Sequence, residues 1–187
     1  MTGPDLATWT TIVGTWVLVV GTLAFAYWQL RQAQRLHSAT TILELRERFF
    51  SARLREARAQ LARWLLNQES TEDPENWEVG IFFELLGSLT RAHVLDRRMV
   101  WSAFGTWVTA YYVFLTQPKN LLAEWRAENH DPLIFGEFEW LAKEMIAIDD
   151  RYVPTIKGIS DPVREARFIL ENDAQLRPGS GGDLLPE

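Results

Sequence analysis

The fold turns on TIVGTWVLVVGTLAFAYWQLRQ, Thr11–Gln32. Up to Leu30 it belongs to a run of 25 consecutive residues without a formal charge, Leu6 to Leu30, bounded by Asp5 and Arg31. At about 1.5 Å per residue, a helix of this length reaches ~37 Å, enough for the roughly 30 Å hydrocarbon core of a bilayer. Trp9 near one end, with Tyr27 and Trp28 near the other, stand where amphipathic rings settle at a membrane interface. Gly14 and Gly21 are tolerated in a lipid-embedded helix and let a second helix approach closely. Two rivals fare worse. Ala24-Phe25-Ala26 satisfies the small-x-small pattern of a signal-peptide cleavage site, but no Lys or Arg precedes the run, which is longer than the ~7–15 apolar residues of such a signal. A buried core helix seldom holds so long an uncharged stretch. The reading is a single transmembrane helix over residues 6–30.

The flanks give it a direction. Arg31, Arg35, Arg46 and Arg48 follow the run and no basic side chain precedes it. Positive charge stays on the cytoplasmic side. Residues 1–5 are therefore expected outside and everything after Leu30 in the cytoplasm, at a bacterial-type inner membrane. The net charge of −6 hides a division: residues 31–66 hold eight Arg against Glu44, Glu47 and Glu56, or +5, whereas residues 67–187 hold 11 basic and 21 acidic side chains, or −10. Basic residues near an anionic leaflet gain about 1 kcal/mol each, which accounts for the Arg-rich segment; Arg31 and Arg35 are expected at the headgroups of the bilayer. The acidic remainder repels phosphate backbones, so no nucleic acid is expected as a partner. The absence of Cys excludes disulfides, zinc-thiolate sites and thiol nucleophiles.

The remainder reads as helix after helix, giving an all-α fold. From Gln29 to Leu66 there is neither Gly nor Pro, and apolar rows recur at Leu36, Leu43, Phe50, Ala57 and Trp64 and at Ile42, Phe49, Leu54, Leu61 and Leu65. That spacing predicts an Arg-rich juxtamembrane helix, 31–66, continuing the span. Thr41 and Glu44 have the spacing of a capping box, so two helices meeting near Ser38–Thr41 is the alternative. Heptad rows of this kind suit a coiled coil between copies, or a face that covers the bundle.

Punctuation then divides a cytoplasmic bundle over residues 67–176. Asp73-Pro74 marks a helix start, Trp77–Leu95 the next helix, and Asp96 the cap of Met99–Thr116. Pro118 opens a short helix to Glu128, Asn129–Pro132 is a loop, and Leu133–Tyr152 is helical. Pro154, Gly158 and Asp161-Pro162 predict a turn and a fresh N-cap before Val163–Leu176, and residues 177–187, RPGSGGDLLPE, a flexible tail. Gly87 and Gly105, mid-helix, predict close backbone crossings. Phe82, Phe83, Trp101, Phe104, Trp107, Tyr111 and Tyr112 are expected to fill the core, and Phe49, Phe50, Trp64, Trp101 and Trp107 are candidates for partner contacts.

The stretch FFELLGSLTRAHVLDRRMVWSAFGTWVTAYY, Phe82–Tyr112, resembles a bacterial family known as domain of unknown function 4760. The similar pieces are Phe82–Gly87, Val94–Asp96, and Val100 with Phe104-Gly105 before Tyr111; GEFEWLAKE, Gly136–Glu144, resembles a later element. The resemblance implies one N-terminal membrane helix joined to a helical cytoplasmic region and carries no established activity.

Reactive chemistry is sparse. His37, His93 and His130 have no metal partner at helical spacing, and His-Glu-x-x-His and Glu-x-x-His are absent. Gly-x-Ser-x-Gly is absent, and PGSGG is too short for a phosphate loop. Glu84, among Phe82, Phe83, Leu85 and Leu86, is expected to pair with Arg91, Arg97 or Arg98. No cofactor, metal or catalytic residue is expected. Two function classes remain: a non-enzymatic membrane-anchored scaffold or accessory subunit working through helix–helix contacts, with itself or a membrane-complex protein as partner, and a signalling, stress or phage-defence component that changes oligomeric state on stimulus.

Overall fold

The computed structural model describes residues 6–67, 77–117, 119–152 and 161–176, except the side chains of 6–15, 17, 30, 31, 33–37 and 152. The expected outer N-terminus, the Asp73-Pro74 start, the Pro154–Gly158 turn and the tail lie outside the described residues, as do the side chains of Trp9, Arg31 and Arg35 and the surroundings of Gly14. Seven α-helices follow one another: α1 Leu6–Phe49, α2 Ala52–Leu66, α3 Glu78–Arg91, α4 Arg97–Thr116, α5 Leu121–Glu128, α6 Gly136–Tyr152 and α7 Pro162–Ala174. No strand occurs among the described residues. The chain is all-α and divides into two units, Met1–Thr40 and Thr41–Glu187.

The first unit is a helix without an apolar side to hide. Trp16, Leu18, Val20, Leu23, Phe25, Tyr27 and Trp28 are all exposed, although they point in every direction around the axis. Phe25 and Trp28 stack on each other, and nothing approaches Gly21. Among the described residues no helix is long and apolar enough to cross a membrane.

The second unit holds the core. Helix α1 passes through Ser38–Thr41 unbroken, and the chain bends later, at Phe50–Ser51. The first helix thus continues past residue 30 as expected, as far as Phe49; its predicted run to Leu66 is corrected by this bend, and the alternative break near Thr41 by the unbroken helix there. Its cause is a serine cap: Ser51 turns extended (φ −62°, ψ 155°), and its Oγ accepts from the Leu54 N–H at 3.4 Å. The bend resets the helical phase. Before it Ile42, Leu45 and Phe49 are buried while Leu43 and Phe50, on the predicted parallel row, are exposed; beyond it Ala57 of that same row is fully buried.

Five helices close a ring in the order α2, α3, α6, α4, α7 and back to α2, with α5 against α4. Its centre is aromatic. Phe49 lies 5.2 to 5.9 Å, ring to ring, from Phe82, Phe83, Phe104 and Trp107. Phe83 stacks on Phe138 of α6 at 5.1 Å. Phe82, Phe83, Phe104 and Tyr111 are buried as expected, whereas Trp101, Trp107 and Tyr112 are only half-buried.

Helix ends account for the remaining differences. Asp96 and Asp161 cap α4 and α7 as predicted, the first accepting from Arg98 and Met99, the second from Val163. Asn120 rather than Pro118 opens α5, accepting from the Ala123 N–H. Helix α3 stops at Arg91, before the expected Leu95, because His93 adopts φ 59°; the Val94 N–H then bonds the Leu89 carbonyl and the His93 N–H that of Thr90. His130, at φ 54°, closes α5 the same way. Helix α6 starts at Gly136 rather than Leu133, after Phe135 at φ 54°.

Candidate functional site

One stripe of α3 builds the scaffold for the site. Gly80, Glu84 and Gly87 share a face, and each accommodates part of the start of α6. A Cβ on Gly80 would come within 2.8 Å of the Phe135 ring, and one on Gly87 would overlap the Glu137 carbonyl. Between them the Glu84 carboxylate accepts from the N–H groups of Glu137 at 3.2 Å and Phe138 at 2.8 Å. The expected Glu84–Arg pair is thereby corrected. The first turn of α6 has unpaired donors and, with Phe135 before it, no local side chain to cap them; an anion delivered from α3 suits that end of the helix. Arg91 and Arg97 pair elsewhere on α6, with Glu137 and Glu144, and lie 4.7 Å and 5.6 Å from the centroid of the Trp140 ring. Gly105 opens no crossing between helices: it makes room for the Trp101 indole of its own helix, 3.0 Å from a notional Cβ.

With that stripe turned to α6, the opposite face of α3 looks outward over the bend. A groove of about 430 Å³ lies there, walled by Leu54, Ile81, Phe82 and Leu85 and rimmed by Arg48, Ser51, Arg53 and Glu78. Ile81 is 62% exposed and Leu85 39%. Arg53 grips Glu78 with two nitrogens, Nε lying 2.9 Å and 3.0 Å from the two carboxylate oxygens. That hydrogen bonding holds the Glu78 carboxyl below its ordinary range. The arrangement is an apolar floor edged by Arg48 and the Arg53–Glu78 pair, suited to an amphipathic helix.

Beneath the bend sits a buried charge. The Arg58 guanidinium lies 4.3 Å from the centroid of the Phe49 ring and 5.3 Å from that of Phe50. Its Nη2 is 3.8 Å from Oδ1 of Asp173 on α7, while Nε and Nη1 have no hydrogen-bond partner among the described residues. Tyr111 donates to Asp173 Oδ2 at 2.9 Å and also lies 3.2 Å from the Arg58 carbonyl oxygen; Trp107 adds a further hydrogen bond to Asp173. Burial dominates all three titrations: it lowers the Arg58 pKa and raises those of Asp173 and Tyr111.

Of the candidates for partner contacts, the structure gathers Phe49, Phe50 and Trp107 around Arg58 and leaves Trp64 and Trp101 apart. Phe49 is fully buried and belongs to the core, not to a contact surface. Trp64 packs edge-on to Trp77, and the Trp101 indole donates to Asp149 at 2.6 Å. The groove residues Arg48, Arg53, Ile81 and Leu85 escaped the sequence reading. Their signal was the i, i+4 pair Ile81 and Leu85 on a helix whose other faces were already accounted for. Among the described residues no cluster of three or more His, Asp or Glu side chains is placed to hold a metal.

The model of a family described as "Domain of unknown function (DUF4760)" matches residues 16–145. The match takes in every residue lining the groove and ends before α7. No curated protein and no solved structure matches the chain.

Proposed function

We propose, for a chain that belongs to the family of domain of unknown function 4760, the role of a membrane-anchored interaction protein whose helical unit binds a protein helix in the groove at the α1–α2 bend. The observation that carries this reading is the groove itself, where Ile81 and Leu85 stand exposed beside Arg48 and Arg53. Exposed apolar side chains ringed by charge are how helix-binding surfaces combine adhesion with selectivity. Anchoring is supported by the uncharged run Leu6–Leu30 and by the apolar side chains of α1, such as Trp16, Leu18, Val20, Leu23 and Phe25, which stand exposed around the helix. Arginines follow the run, so the helical unit faces the cytoplasm and the bilayer is the first partner.

The test is a photo-reactive side chain at Ile81 in the full chain, irradiated in native membranes. A discrete protein adduct is expected, with the chain remaining in the membrane after alkaline extraction. Extraction into the soluble fraction would overturn the anchor, and absence of any adduct would overturn the groove. A second reading, a responder that changes oligomeric state, draws on the Arg58–Asp173 pair, an expensive way to attach α7. It predicts that a stimulus changes the adduct pattern.

A further inference from the structure

We infer that the occupant of the groove is the outer face of α7 from a second copy of this chain; the inference rests on the groove reading above. Phe168 is 63% exposed at the middle of α7, though a core lies one turn away. Glu165 and Glu171 flank it at i−3 and i+3, both exposed, with Asp161 and Arg164 on the same side of the helix. This face is apolar at its centre and carries three carboxylates against Arg164, the complement of a groove apolar in its floor whose rim holds Arg48 beside the Arg53–Glu78 pair and so keeps one net positive charge. A groove meeting its own copy face to face would instead set two like-charged rims, each with Arg48 unmatched by a carboxylate of the rim, against one another.

Within one molecule the two surfaces cannot meet. Helices α3 and α7 are both neighbours of α2 in the ring and present separate outward faces. The contact joins two different patches: where both reciprocal contacts form at once the copies close as a two-fold dimer, and where only one forms they build a ring or an open chain.

The chain contains no cysteine, so an introduced pair reports unambiguously. Two differently tagged full-length copies, one Ile81→Cys and the other Phe168→Cys, are co-expressed, and their membranes oxidised. A disulfide between the two tags is expected, reduced about tenfold by Arg48→Glu and recovered when Glu165→Lys and Glu171→Lys are placed on the Phe168→Cys copy. Both cysteine positions are exposed, and membrane levels of each variant control for folding. Crosslinking of Ile81→Cys copies to one another, without the mixed product, would show a face-to-face contact and overturn the inference. An Ile81 photo-adduct to a different protein, again without the mixed product, would overturn it and leave the groove reading intact. Absence of both products would sink the two together.

Discussion

Arg58 is the residue on which the bundle spends most for its geometry. A guanidinium buried on Phe49, 3.8 Å from its counter-ion and with two nitrogens unsatisfied, is a poor exchange for hydration. Asp173→Asn keeps the shape but leaves that cation uncompensated, and is expected to destabilise the protein by about 3–5 kcal/mol. Arg58→Met combined with Asp173→Asn should recover most of the loss. Urea unfolding followed by tryptophan fluorescence decides it: a double variant no better than Asp173→Asn would mean that the pair is worth its burial. The glycines give a second contrast. Gly87→Ala drives a methyl into the Glu137 backbone and should cost about 1–3 kcal/mol, whereas Gly105→Ala meets only a movable indole and gains up to about 1 kcal/mol of helix propensity. Equal melting temperatures for the two variants would contradict this. Their sequence signals were identical, a glycine in the middle of an apolar helix. Only the packing partner separates them, and a partner some fifty positions distant leaves no local trace.

At the scale of elements, helix ends were legible where a short-range rule governs them. Asp96 and Asp161 announce α4 and α7 because a carboxylate two or three residues before a free N–H acts locally. The start of α6 was not legible, because its cap is Glu84, more than fifty residues upstream. The two histidine stops were hidden for another reason: the left-handed conformation favours Gly, and neither His93 nor His130 advertises it. His93→Gly and His130→Gly should each therefore raise stability by about 0.5–1 kcal/mol, measured by thermal unfolding. A loss on either change would reveal a contact made by the imidazole that outweighs the relief of strain. The bend at Phe50–Ser51 has the same character. A single serine interrupts a pattern that is otherwise periodic from Gln29 to Leu66, and periodicity alone reads straight through it.

Across the whole molecule, the all-α class and the aromatic core followed from composition and period, while the groove did not, because a surface becomes visible only once the buried faces are assigned. The closed ring α2, α3, α6, α4, α7 has a further consequence, which concerns synthesis. Two of its seams, α4 with α7 and α2 with α7, require a helix made after the other four of the ring. Until α7 leaves the ribosome, Arg58 has no Asp173 to face, and the apolar sides of α2 and α4 that α7 covers stand open on the nascent chain. Ring closure is thus a late step between distant parts of the sequence, slowed by the entropy of bringing them together. Until that closure, the open sides of α2 and α4 are the surfaces on which the nascent chain is exposed to mispairing.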